Sequence, residues 1–129
     1  MSTVFGKIVS GEIPAYKVAE NEEFLAFLDV FPCGEGHTLV IPKKETDYLF
    51  DLDDESYGKL FAFAKSIEPA IKKAVPCAKV GLAVVGLEVA HVHVHLIPMN
   101  SISDMDFTVK MKVTPEELEA TAKRIRSFL

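Results

Sequence analysis

His91-Val92-His93-Val94-His95-Leu96-Ile97, closed by Pro98, is the stretch on which the reading of this chain turns. Polar and apolar residues alternate, the period of a strand whose two faces meet different surroundings. Residues i, i+2 and i+4 of a strand share a face. The run therefore predicts the three imidazoles on one side, with Val92, Val94 and Leu96 entering a core on the other. Imidazole is the side chain that titrates near neutral pH. A lone buried histidine is an ordinary core residue, whereas three aligned ones point to chemistry. The residues alone leave two chemistries open. Aligned imidazoles can bind zinc, although no other His, Cys or acidic residue stands at an obvious ligand spacing. Alternatively, one imidazole attacks an anionic substrate while its neighbours bind it.

Working outward, Lys79 to Val85 is a second apolar, β-branched run, joined to the first by Gly86 to Ala90. The two predict an antiparallel pair. His37 to Ile41, ended by Pro42, reads as a buried strand. Tyr16 to Ala19 and Phe24 to Leu28 read as a hairpin around Glu20, Asn21 and Glu22, followed by a loop from Asp29 to Gly36. Residues 4–10 predict a short helix stopped by Gly11 and Pro14. After the acidic segment Asp51 to Glu55, the residues Leu60, Ala64, Ile67, Ile71 and Ala74 recur at helical spacing. Lys72 and Lys73 suit the negative end of that helix, and Pro76 stops it. Pro69 should kink it or end a first segment. Asn100 to Lys112 is irregular. Thr114-Pro115-Glu116-Glu117 is a capping box that opens a last helix to about Phe128. The expectation is an α+β fold: a mainly antiparallel sheet, one long central helix and a C-terminal helix, in a single domain over 1–129.

Composition bounds the rest. The chain has 129 residues, 49% of them hydrophobic and 26% charged, enough for one domain to bury a core without staples. The net charge is −5, so no general basic field for nucleic acid is present and no nucleic-acid partner is expected. No run approaches the roughly 18 apolar residues of a membrane span, and the first residues lack a secretory h-region. Cys33 and Cys77 form no CxxC pair and read as free thiols. These features lead to the expectation of a cytoplasmic location.

The seven residues from His91 to Ile97 match the pattern His-φ-His-φ-His-φ-φ, φ apolar. Phe5-Gly6-Lys7-Ile8-Val9, Glu12-Ile13-Pro14, Leu25-Ala26-Phe27-Leu28-Asp29 and Gly36-His37-Thr38-Leu39-Val40-Ile41-Pro42-Lys43-Lys44 accompany it in order. Together, from about Val4 to Pro98, they resemble the histidine triad family and its Hint-like branch. The resemblance implies a purine-nucleotide hydrolase that cleaves at the α-phosphorus through a nucleotidyl-histidine intermediate, with no metal and no cofactor. On this chain it makes His93 the nucleophile. It makes His95 a hydrogen-bond partner of the phosphate or leaving group, and His91 the source of a carbonyl that fixes the tautomer of His93. His37 becomes a neighbouring support. It assigns Asp29 to the ribose hydroxyls and Val4, Phe5, Ile8, Phe27 and Val30 to the base. Gly86 stands for a family glycine. A neutral imidazole suits the nucleophile's role, because its phosphorylated form leaves readily and divides one hard displacement into two.

The chain departs from the family pattern just before the triad. Leu87 and Glu88 occupy the places of a Gln and a Ser, and the Ser is a phosphate contact in the family. By strand parity Glu88 would face away from the histidines; in a loop it would not. Phe5-Gly6 stands where some relatives carry a zinc-binding Cys. The expected partners are a purine nucleotide or nucleoside phosphoramidate and a second copy of the chain. That homodimer would use the helix from about Asp54 to Val75, with Phe61 and Phe63 beside its main face. The alternatives are a non-catalytic nucleotide-binding module and a metal-binding protein.

Overall fold

The computed structural model describes residues 2–129. In chain order the elements are α1 (Val4–Ser10), β1 (Lys17–Glu20), β2 (Phe24–Leu28), β3 (Thr38–Pro42), α2 (Asp54–Ala74), β4 (Lys79–Ala83), β5 (Val94–Met99) and α3 (Pro115–Arg126). Short 3-10 turns lie at Leu49–Asp51 and Ile102–Asp104. The strands form one sheet in the order β1-β2-β3-β5-β4, every neighbouring pair antiparallel. The α+β expectation holds.

Both faces of the sheet centre are covered, which is why β2 and β3 read as unbroken apolar runs. On one face Phe24, Ala26, Leu28, Val40, Val94 and Leu96 pack with Leu60, Ala64, Ile67 and Ile71 of α2 and with Leu118, Ala122 and Ile125 of α3. On the other face Leu25, Phe27, Leu39 and Ile41 meet only Phe5 and Ile8 of α1 and a thin rim. This second, lightly covered face is where the histidines lie.

Helix ends follow their local chemistry. Asp53 and Thr114 cap α2 and α3 by accepting from the Ser56 and Glu117 amides. The left-handed Gly11 closes α1. α3 stops at Arg126, two residues before the expected end. α2 does not end at Pro69. The missing amide leaves only the carbonyl of exposed Lys65 without its helical partner, while Ile67, Ala70 and Ile71 hold that stretch in the core.

The strand expected over His91 to Ile97 begins only at Val94 and continues through Pro98 to Met99. β3 pairs with β5 from Thr38↔Leu96 to Val40↔Val94. Two residues further, Pro42 would face Val92 and has no amide with which to extend the ladder. Its carbonyl instead accepts from the His91 ring. At the far end, Pro98 has passed the end of the β3 pairing and meets only Val80 of β4, so its lack of an amide is tolerated. The face assignment survives this shift: Val92, Val94 and Leu96 enter the main core. β4 likewise ends at Ala83, two residues short of the expected run.

Candidate active site

A cavity of about 600 Å³ opens on the thinly covered face. One wall is α1, with Val4, Phe5 and Ile8; the floor is Phe27 and Leu39; Val30 and Phe31 line a side. His93 and His95 line it together with Asp29, Gly86, Glu88, Phe107 and Lys110. His91 and His37 do not line it. They stand behind His93 and His95 and are almost wholly buried.

The hydrogen bonds assign every tautomer in the cluster. His93 Nδ1 lies 2.7 Å from the His91 carbonyl oxygen, which can only accept. Nδ1 therefore carries a proton, and the lone pair of the uncharged tautomer lies on Nε2. The Phe5 ring meets His93 edge-on, with centroids 5.0 Å apart. His91 Nε2 donates to the Pro42 carbonyl at 2.7 Å, so its Nδ1 accepts from the Thr3 hydroxyl at 3.2 Å. The same Thr3 oxygen accepts from the Gly6 amide and caps α1. The Thr3 amide donates to Glu45 Oε1 at 2.6 Å, which holds the Glu45 carboxyl below the usual carboxylate range. A Cβ on Gly6 would come to 2.8 Å from that oxygen, so any larger residue there would have to displace the Glu45 carboxylate.

On the other side, the Cys33 amide donates to His37 Nδ1 at 3.0 Å. His37 therefore bears its proton on Nε2 and donates to His95 Nδ1 at 2.9 Å. His95 is left with its proton on Nε2, the ring atom free to donate to a ligand. Burial, helped by the neighbouring His95, pushes the His37 pKa down to about 3. Burial likewise pushes His95 to about 4 and lowers His91. The supports of His93 are thus neutral near pH 7, as the assigned tautomers require.

Asp29 turns the loop by accepting from the Phe31 amide at 2.8 Å. Its other oxygen lies 3.6 Å from His37 Nε2, and burial raises its carboxyl. Asp29, His37 and His95 could in principle share a metal ion. A tetrahedral zinc with Zn–N of about 2.0–2.1 Å holds its nitrogens about 3.3 Å apart. The two rings approach to 2.9 Å, the separation of a hydrogen bond rather than of a chelate.

Glu88 does not face away. Val84 to His93 lies outside the strands, so parity does not apply, and Glu88 lines the same cavity as His93 and His95. Gly86 is left-handed, with φ of 73°, where glycine is favoured. Sequence reading missed Thr3, Glu45, Phe107 and Lys110. Thr3 carried a usable sign, a capping residue directly before an apolar run. Phe107 and Lys110 lie in an irregular tail and carried none.

A five-stranded antiparallel sheet that presents hydrogen-bonded histidines to a pocket walled by a short N-terminal helix defines a histidine triad domain. The chain belongs to that family: its HIT domain model matches residues 10–102. The chain is 35% identical over 131 residues to the adenosine 5′-monophosphoramidase hnt1 of Schizosaccharomyces pombe, covering 98% of each. A HIT-like protein of Bartonella henselae superposes with a TM-score of 0.87 at 32% identity, covering 99% of this chain and 96% of that one. A zinc-bound histidine triad protein of Mycobacterium smegmatis superposes at 0.83 and 32% identity, covering 98% and 92%. No helix among the described residues is long and apolar enough to cross a membrane.

Proposed function

We propose that this protein is a purine-nucleotide hydrolase of the phosphoramidase type. The observation that carries the reading is the His93–His91 hydrogen bond, which leaves Nε2 as the one unengaged nitrogen of a ring that lines the cavity. The nucleoside enters between α1 and β2, its base against Phe5, Ile8, Phe27, Val4 and Val30, its ribose hydroxyls donating to Asp29. His93 Nε2 attacks the α-phosphorus, and the bond to the leaving group breaks with its electron pair. His95 Nε2–H donates to a phosphate oxygen or to the departing atom. The departing atom takes up a proton from solvent; water then attacks the nucleotidyl-imidazole and releases a proton to solvent, the P–N bond breaks, and the lone pair returns to Nε2. Phosphoryl-type transfer of this kind rests on positioning and charge stabilisation, and the cluster supplies positioned donors. The adenosine monophosphoramidase relative supports the same class of substrate.

The test is a turnover panel of adenosine and guanosine phosphoramidates, aminoacyl adenylates and dinucleoside polyphosphates, with acid-free quenching and intact-mass measurement. A nucleotidyl adduct on His93 is the expected result. Absence of turnover with retained AMP binding would favour a non-catalytic nucleotide-binding module, the reading to which Glu88 at the cavity wall lends weight.

The working unit in this proposal is a homodimer using the α2 side of the molecule. Tyr48, Phe50, Tyr57 and Phe61 form a run of ring contacts there, and the first three are exposed. Phe63, by contrast, packs inward on Phe24. Light scattering should give twice the monomer mass. The hydrolysis proposed here uses no metal; elemental analysis of purified protein tests that against the zinc of the mycobacterial relative.

A further inference from the structure

Any nucleotide brings negative charge into the cavity, and His95, with His37 behind it, does little to balance it. His95, and His37 behind it, are neutral, and the other ionisable wall residues besides His93 and Lys110 are the carboxylates of Asp29 and Glu88. Among the described residues the only Lys or Arg in the cavity wall is Lys110. It lies in a segment that looks irregular in sequence yet opens on a turn of its own and is tied to another loop at its far end. Asp106 turns the chain by accepting from the Thr108 amide, and the Val109 amide donates to the Asp106 carbonyl. One residue beyond Lys110, the Met111 amide donates to the Pro32 carbonyl at 2.8 Å. Within the Asp106 turn the Phe107 ring rests on His95, with centroids 4.6 Å apart. The strap so formed brings Lys110 into the wall of the cavity that His93 and His95 line. Its charge is felt at Asp29, Cys33, His37 and His95.

We infer that Lys110, held by the Asp106–Met111 strap, is the anion-recognising residue for the substrate's phosphate chain, and that it makes the site favour leaving groups that are themselves negatively charged over neutral amines. The inference rests on the hydrolase reading above and sharpens its substrate class to nucleotides whose α-phosphorus carries a phosphate- or carboxylate-bearing group. An ammonium is a point charge that serves a phosphate or carboxylate equally well, so the charge of the leaving group, rather than its shape, decides the preference. Without Lys110 the wall would offer an anion the carboxyl groups of Asp29 and Glu88 and no lysine or arginine to set against them.

The experiment compares two matched adenosine phosphoramidates, one N-linked to glycine and one to glycine methyl ester, in wild type, Lys110→Met and Lys110→Arg. AMP and ADP binding are measured by calorimetry alongside. Wild type should prefer the free carboxylate in kcat/KM, chiefly through KM, and bind ADP more tightly than AMP, each by about fivefold, the scale of an exposed ion pair. Both preferences should shrink as salt is raised. In Lys110→Met both ratios should fall to about one, and Lys110→Arg should restore them. If wild type shows no preference, or Lys110→Met leaves the ratios unchanged, the inference is overturned. If neither phosphoramidate turns over, the ADP-to-AMP ratio still decides the role of Lys110, and the hydrolase reading fails separately. Unchanged melting of the variants excludes a merely structural effect of the strap.

Discussion

His91 and His95 stand at equal sequence distance from His93, yet the molecule supports them in unlike ways. His91 faces inward and is tied to α1 through a side chain, the Thr3 hydroxyl, and to the sheet through the Pro42 carbonyl. His95 faces the cavity and is tied through a second imidazole to a loop amide. The tautomers alternate as a result: Nε2–H on His91, Nδ1–H on His93, Nε2–H on His95. One flank hands His93 an acceptor that frees its lone pair. The other hands the cavity a donor. A repeated residue type thus acquires opposite roles from what lies behind it, and the strand alternation alone could not have assigned them.

The largest expected effect comes from removing the residue between the flanks. His93→Ala should lower turnover on the order of 10³-fold or more, as losing a nucleophile does. AMP affinity should change by less than about tenfold, since binding uses many other contacts; calorimetry and steady-state assays check both. Next comes the cavity-side flank. His37→Leu should cut kcat by about 10- to 100-fold, the scale on which an outer partner of a functional histidine acts. His37→Gln, whose amide can still donate to His95 Nδ1, should recover part of it. Equal loss in both variants would break the relay argument.

The same flank sets a pH dependence. His37 and His95 titrate in the folded chain at about 3 and about 4, against 6.5 for a free histidine. The unfolded chain therefore takes up protons as pH falls below 6.5, where the folded chain does not. Their stabilising effect is complete above that pH and is lost progressively down towards 4 and then 3. Urea unfolding at a series of pH values should show this decline, and His37→Leu should flatten it.

Smaller effects come from the α1 flank. Thr3→Val removes both a helix cap and the partner of His91 Nδ1. It should cost about 1 kcal/mol of stability, as cap removal does, and lower kcat by a few-fold; Thr3→Ser should restore both. Smallest is Glu88→Gln, which removes a like charge from the cavity wall and should tighten AMP binding by about two- to fivefold.

Most of the scaffold was legible because it rests on local patterns. Spacing of Leu60, Ala64, Ile67 and Ile71 gave α2, and Thr114-Pro115 gave the start of α3. The resemblance led to the residues that gather at the cavity, Asp29, Phe5, Phe27, His93 and His95 among them. What failed was set by neighbours distant in sequence. The strand began late because Pro42, on another strand, cannot donate. Glu88 came to line the cavity because its segment left the sheet. Lys110 reached the cavity through a single amide tie to Pro32, a contact between two irregular segments that no periodicity announces.

The two flanks also differ in what a point mutation can undo. Thr3 acts through a hydroxyl, so most replacements at that codon would unlatch His91. At position 33 the group that matters is the backbone amide, which every amino acid but proline supplies. The thiol of Cys33 is incidental to the proton arrangement two imidazoles away. The tautomer of His95 is therefore inherited through chain geometry rather than through any side chain at position 33. That position should tolerate wide genetic drift, with proline as the one replacement that silences the relay at its source.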